Sequence, residues 1–159
     1  MRVEDFENAN GVKIRPKAGH WLHSFIGLFS SSWNDHFFTT LRLPGYGGPV
    51  IWYPSNIVDK GHIPDRYEEI LKHELVHCKQ QSTWGGLLWT LVCVSVFPLP
   101  VFYSGRWFVE RPAYLRDIKA GVLTVDQAVD ILWDLYGMPW PREKMRRWFN
   151  EGLEGAKPF

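Results

Sequence analysis

The chain is poor in cysteine, nearly balanced in charge and free of repetition. Two cysteines in 159 residues do not staple a fold, so the sequence predicts buried free thiols in a reducing compartment. Eighteen Lys and Arg against 17 Asp and Glu leave a formal net charge of +1, which offers nucleic acid or an anionic membrane no global attraction. No internal repeat or low-complexity tract interrupts it. Residues 1–5 are polar and acidic and lack the apolar region of a signal peptide, so cytoplasmic residence is the expectation. What is present is hydrophobic: 45% of the residues, nine Trp among them, which fits a globular chain. Its length suits about one domain with one sizeable core.

The most informative segment is His73-Glu74-Leu75-Val76-His77. On a helix, residues four apart share a face, so both imidazoles can reach one tetrahedral metal while the Glu74 carboxylate lies beside them. The surroundings predict a helix over residues 65–81. Asp65 stands as N-cap with Glu68 three positions on, and Pro64 precedes it. Tyr67, Ile70, Leu71, Leu75 and Cys78 follow at spacings that suit a buried stripe, and Gly85-Gly86 punctuates the end. Cys78 sits next to His77 but on another helical face, which makes it a structural thiol.

A catalytic zinc site takes three protein ligands and keeps one position open. Downstream lies Trp107-Phe108-Val109-Glu110-Arg111-Pro112-Ala113-Tyr114. With the His-Glu-x-x-His segment, Glu110-x-x-Ala113 resembles the zincin metallopeptidases of the gluzincin type. The likeness implies that Glu110, on a second helix, is the third ligand of a Zn2+ ion, and that the small Ala113 lets that helix approach. More narrowly, His73 to His77, then Lys79-Gln80-Gln81, an apolar stretch and Phe108-x-Glu110-Arg111-x-Ala113-Tyr114 is similar to small bacterial and phage metallopeptidases. The resemblance covers roughly residues 50–118. One departure concerns the position four after the ligand Glu, acidic in several of those enzymes and Tyr114 here. A phenol is the weaker acceptor for a ligand histidine, and Asp117, a turn further on, is a substitute. The aromatic neighbours of Glu110 predict partial burial, and a buried carboxylate needs a partner such as a cation.

Elsewhere, Asn10-Gly11 predicts a tight turn between two short strands. Residues 21–29 are mostly apolar and suit a short helix or strand. His20, His23 and His36 lack ligand spacing and read as packing or surface residues, whereas His62, just before the metal helix, is a candidate for lining the site. Residues 36–43 and 50–53 read as strands joined by the glycine-rich turn Pro44-Gly45-Tyr46-Gly47-Gly48-Pro49. In zincins an edge strand above the metal helix pairs with the substrate peptide, and Val50-Ile51-Trp52-Tyr53 occupies a suitable place in the order of elements.

Between Lys79 and Arg106 the sequence carries no charge. A single bilayer crossing there would leave His77 and Glu110 about 30 Å apart, which is incompatible with a shared metal. Pro98 and Pro100 predict instead a helix of about 13 residues, roughly 20 Å long, followed by an extended return of about ten residues. That excursion is either core or a shallow membrane contact through residues 84–103. Further on, Thr124 and Gln127 form a capping box for a helix over residues 125–136, and Pro141 opens another reaching about residue 150. Arg142, Lys144, Arg146 and Arg147 read as a solvated helix face rather than a nucleic-acid surface.

Together these readings predict one α+β zincin-like domain over residues 1–159. It comprises a small N-terminal sheet, the metal helix, a second ligand helix and C-terminal helices, with the metal core at about 50–118 and the helical C-terminal region at about 121–151. The expected activity is zinc-dependent hydrolysis of a peptide or protein substrate, with His73, His77 and Glu110 as ligands and Glu74 as general base. Tyr114 is the catalytic candidate for oxyanion stabilisation, with His62 and Tyr53 behind it. Two rivals stand beside this: a non-catalytic zinc-stabilised binding protein, which needs a fourth ligand from His62 or Cys78, and a membrane-surface adaptor built on the apolar run.

Overall fold

The structure, a computed structural model, describes residues 1–28, 38–43, 45–54, 56–57, 61–84, 100–134, 138 and 140–155. It has an α+β fold in which a small mixed sheet of three strands is followed by several helices. The chain divides into two compact units, residues 1–90 and 91–159.

The first unit begins with helix α1 (Val3–Asn10), where a strand was expected. Gly11 ends it with φ 64°, its N–H donating to the Glu7 carbonyl at 2.8 Å. Asn10-Gly11 therefore closes a helix instead of turning a hairpin. Both settings ask for a left-handed residue, and Gly supplies it without a Cβ clash. The Glu7 carboxylate fixes the next strand to this helix, accepting the Ile14 N–H at 2.7 Å and the Arg15 guanidinium at 2.6 Å.

Strand β1 (Lys13–Pro16) pairs in parallel with β3 (Val50–Tyr53), and β2 (Thr39–Leu41) pairs antiparallel with it, Ile14 and Thr40 both standing opposite Ile51. The two strands about the glycine-rich turn thus pair as expected. The order β1-β3-β2, however, puts Val50–Tyr53 in the centre of the sheet. Both of its edges are occupied, so it has no free edge for a substrate strand. Helix α2 (Trp21–Gly27) settles the ambiguous apolar segment in favour of helix.

The helix that carries His73 and His77 starts differently from its sequence signature. Asp65–Tyr67 forms a single 3-10 turn without a side-chain cap, and the Asp65 carboxylate receives the terminal ammonium of Met1 at 3.3 Å. Helix α3 then runs Glu68–Trp84, past the expected end at residue 81. Its inner face carries Leu71 and Cys78 into a core with Phe6, Ile14, Ile51 and Ile63, and Tyr67 and Leu75 pack partly against them. Ile70, expected in that stripe, is exposed. On the outer face Lys72 bridges Glu68 and Glu69 at 2.8 Å each.

In the second unit, α4 (Pro100–Lys119) begins at Pro100, so residues 100–103 are helical instead of part of an extended return. A proline is compatible with the first turn of a helix, where its missing N–H would have no intrahelical partner. The expected excursion over residues 85–99 lies outside the described residues. Among the described residues no helix is long and apolar enough to cross a membrane.

The capping box forms as read: Thr124 N–H donates to Gln127 Oε1 at 2.8 Å and Gln127 N–H to Thr124 Oγ1 at 3.2 Å, opening α5 (Val125–Asp134). Helix α6 (Arg142–Leu153) follows Pro141. These helices bury Trp107, Tyr114, Ala128, Val129, Leu132, Met138, Met145 and Phe149 in one cluster. The basic residues of α6 meet acids and rings. Arg142 reaches Asp130 at 2.8 Å and Arg146 reaches Asp126 at 2.6 Å, while the Lys144 ammonium lies 4.3 Å from the centre of the Trp140 ring.

Candidate metal centre

Helix α3 sets the His73 and His77 rings one turn apart, with centroids 5.0 Å from each other and planes at 77°. Neither ring has to be carried there by a loop, because the spacing along the helix does it. His77 is buried, and its Nδ1 lies 3.0 Å from Gln80 Oε1. An amide oxygen accepts, so this contact selects the tautomer with a proton on Nδ1, the one whose Nε2 carries the lone pair. Gln80 is an outer partner of His77 that the sequence reading did not name. The signal was its position three after His77, within reach on a helix.

Glu110 lies on α4 in a stretch where Trp107, Val109 and Ala113 are also buried. One ligand atom from each of His73, His77 and Glu110 falls within 4.8 Å of the others. Ligand atoms bonded to a tetrahedral zinc at about 2.0–2.2 Å stand roughly 3.4 Å apart, so this grouping needs only a small contraction to close on an ion. Two imidazoles and one carboxylate also form a donor set suited to a catalytic zinc with an open fourth position. The residues present therefore fit a metal ion, and together they form a His/His/Glu group, His73 half-buried and the other two buried, able to hold one.

Glu74 follows His73 and lies about 60° round the helix from His77 at about 100° per residue. Its side chain is buried, and the Thr40 hydroxyl donates to Glu74 Oε2 at 2.5 Å, with the Glu74 carbonyl also in reach at 3.3 Å. Gln81, two turns along the same helix, donates through Nε2 to the Thr40 carbonyl at 2.8 Å. Lys17, just beyond β1, is buried as well. Burial lowers its pKa to about 7, and the negative charge of Glu74 works against that shift. Burial pushes the Cys78 thiol up to about 12, with the Glu74 charge adding to the effect and a Thr40 hydrogen bond opposing it. Such a thiol stays protonated and is a poor ligand or nucleophile at neutral pH, in keeping with the structural role read for it.

The remaining candidates lie in varied settings. Tyr114 belongs to the buried cluster of the second unit, and Asp117, also buried, accepts from Arg116 at 2.8 Å. Tyr53 is half-buried at the end of β3, its pKa raised chiefly by burial. His62 is exposed and forms an isolated bridge with Arg2. His20 and His23 pack on Trp52, with ring centroids at 4.5 and 4.7 Å, as expected of packing histidines. Burial, with the charges of Lys17 and His20 adding to it, lowers the His23 pKa to about 3. His36 lies outside the described residues. Set against known proteins, the chain matches no protein-family model, no curated protein and no solved structure.

Proposed function

We propose that this chain is a zinc-dependent peptidase that uses His73, His77 and Glu110 as metal ligands and Glu74 as general base. The observation that carries the reading is the grouping of those three donor atoms within 4.8 Å, two of them on the helix that also presents Glu74 as a buried carboxylate. A bound metal ion there supplies a Lewis acid for the scissile carbonyl and lowers the pKa of a coordinated water. Glu74 takes the proton of the attacking water and delivers it to the departing amine, so that one carboxyl group serves both proton transfers. His77 is held in its metal-binding tautomer by Gln80, and burial of Glu74 keeps bulk water from competing for its oxygens. The reading takes a peptide or protein as substrate, in line with the gluzincin-like motif.

The test combines metal content with turnover. The purified chain is expected to hold about one zinc, with His73→Ala, His77→Ala and Glu110→Ala each losing most of it. Glu74→Gln is expected to keep the zinc and the fold while kcat on a cleaved peptide falls by roughly 100-fold or more, since an amide cannot accept the proton. Full zinc occupancy in Glu110→Ala removes the third ligand from the assignment. A zinc-loaded chain that cleaves nothing in a broad peptide library removes the peptidase reading while leaving the metal site standing.

A further inference from the structure

Glu74 needs one oxygen to receive a proton and a fixed rotamer to receive it in the right place. The Thr40 hydroxyl has a single proton to give. At 2.5 Å from Glu74 Oε2 against 3.3 Å from the Glu74 carbonyl, that proton goes to the carboxylate. The bond takes up Oε2 and leaves Oε1 to meet a water. Thr40 is itself held on two sides: its strand pairs with β3, where Thr40 stands opposite Ile51, and its carbonyl accepts from Gln81 at 2.8 Å. Helix α3 thus grips the same strand residue at Glu74 and again seven positions later at Gln81. Both Thr40 and Glu74 are buried, so water does not readily replace a lost hydroxyl.

We propose that Thr40 is a positioning residue for Glu74, its hydroxyl anchoring one carboxylate oxygen so that the other is presented to the attacking water. This rests on the reading of Glu74 as the general base. In this role Thr40 acts through Glu74, with Gln81 fixing Thr40 in turn. A strand residue far from the motif in sequence thereby belongs to the machinery of the metal helix.

The test uses the full zinc-loaded chain in native, Thr40→Val and Thr40→Ser forms. In crystal structures at one pH, the Glu74 carboxylate is expected to leave its native position in Thr40→Val and to keep it in Thr40→Ser. A carboxylate that stays in place in Thr40→Val overturns the proposal, whatever the activity. On a quenched fluorescent peptide that the native chain cleaves, Thr40→Val is expected to lower kcat roughly 10- to 100-fold with KM within about twofold, and Thr40→Ser to recover most of the loss. Equal kcat in all three forms also overturns it, while loss of turnover in Glu74→Gln alone leaves the peptidase reading intact. If the native chain cleaves no peptide, the peptidase reading fails and the crystal comparison alone decides whether Thr40 holds Glu74. Should Thr40→Val not fold, Thr40→Ala takes its place in both measurements with the same expectations.

Discussion

His77 Nδ1 and Gln80 Oε1 stand 3.0 Å apart, which makes Gln80 an outer support for an imidazole of the candidate metal group. Removing such a support lets the ring turn and leaves its tautomer unselected. Gln80→Ala is therefore expected to weaken zinc binding by roughly 10- to 100-fold without unfolding the chain, and Gln80→Glu to bind at least as tightly as native. Competition against a chromophoric chelator measures both, and an unchanged affinity in Gln80→Ala would show that the contact does not support the ring.

Metal removal should act on stability as well as on turnover. An ion that binds only the folded chain stabilises it by about 4 kcal/mol at a free concentration of 1,000 Kd. Dialysis against a chelator is expected to lower Tm by several degrees, with stoichiometric zinc restoring it and Glu110→Ala showing a smaller response. A melting curve indifferent to zinc in the native chain contradicts a folded-state site.

Two buried bases give opposite ends of a pH profile. His23 has a folded pKa of about 3 against 6.5 when unconstrained, so below pH 6.5 the unfolded chain takes up a proton that the folded chain refuses. Stability is thus expected to fall by up to a few kcal/mol as the pH drops from 6.5 towards 3, and His23→Phe to lose that part of the fall. Lys17, at about 7 against 10.5, places a second rise between those values, because there too the unfolded state binds the extra proton. Denaturant midpoints across pH in native, His23→Phe and Lys17→Met chains check both windows. Parallel curves for native and variant rule out the corresponding group.

At the start of α5 the reciprocal bonds between Thr124 and Gln127 satisfy helix N–H groups that would otherwise lack partners. Thr124→Ala is expected to destabilise the second unit by about 1 kcal/mol, and Thr124→Ser to cost much less. Hydrogen exchange of the α5 amides reads this locally; unaltered protection in Thr124→Ala would mean the cap contributes nothing.

Features carried by neighbours in sequence were the legible ones. The His73 and His77 spacing and the Thr124 and Gln127 capping box each need only one helix, so period and composition suffice. Asn10-Gly11 misled because a hairpin turn and a helix C-cap make the same demand on Gly11, and only the preceding eight residues tell them apart. Asp65 carries a capping signature, but the Met1 ammonium claims its carboxylate. The central place of Val50–Tyr53 depends on Lys13–Pro16 pairing with it across more than thirty residues, which no local pattern encodes. The same distance hid Thr40. Nothing about a threonine on a short strand points to a glutamate on a helix until the fold brings them together.

The hydrogen bonds that join Thr40 with Glu74 and with Gln81 span 34 and 41 positions of chain. A synthetic helix copying residues 68–84, or the same segment grafted onto another scaffold, would take with it two imidazoles, the carboxylate and even Gln80. It would leave behind the hydroxyl that donates to the carboxylate. Such a transplant carries two of the three residues of the candidate metal group, and rebuilding the whole arrangement means importing Glu110 from α4 and a strand along with the helix.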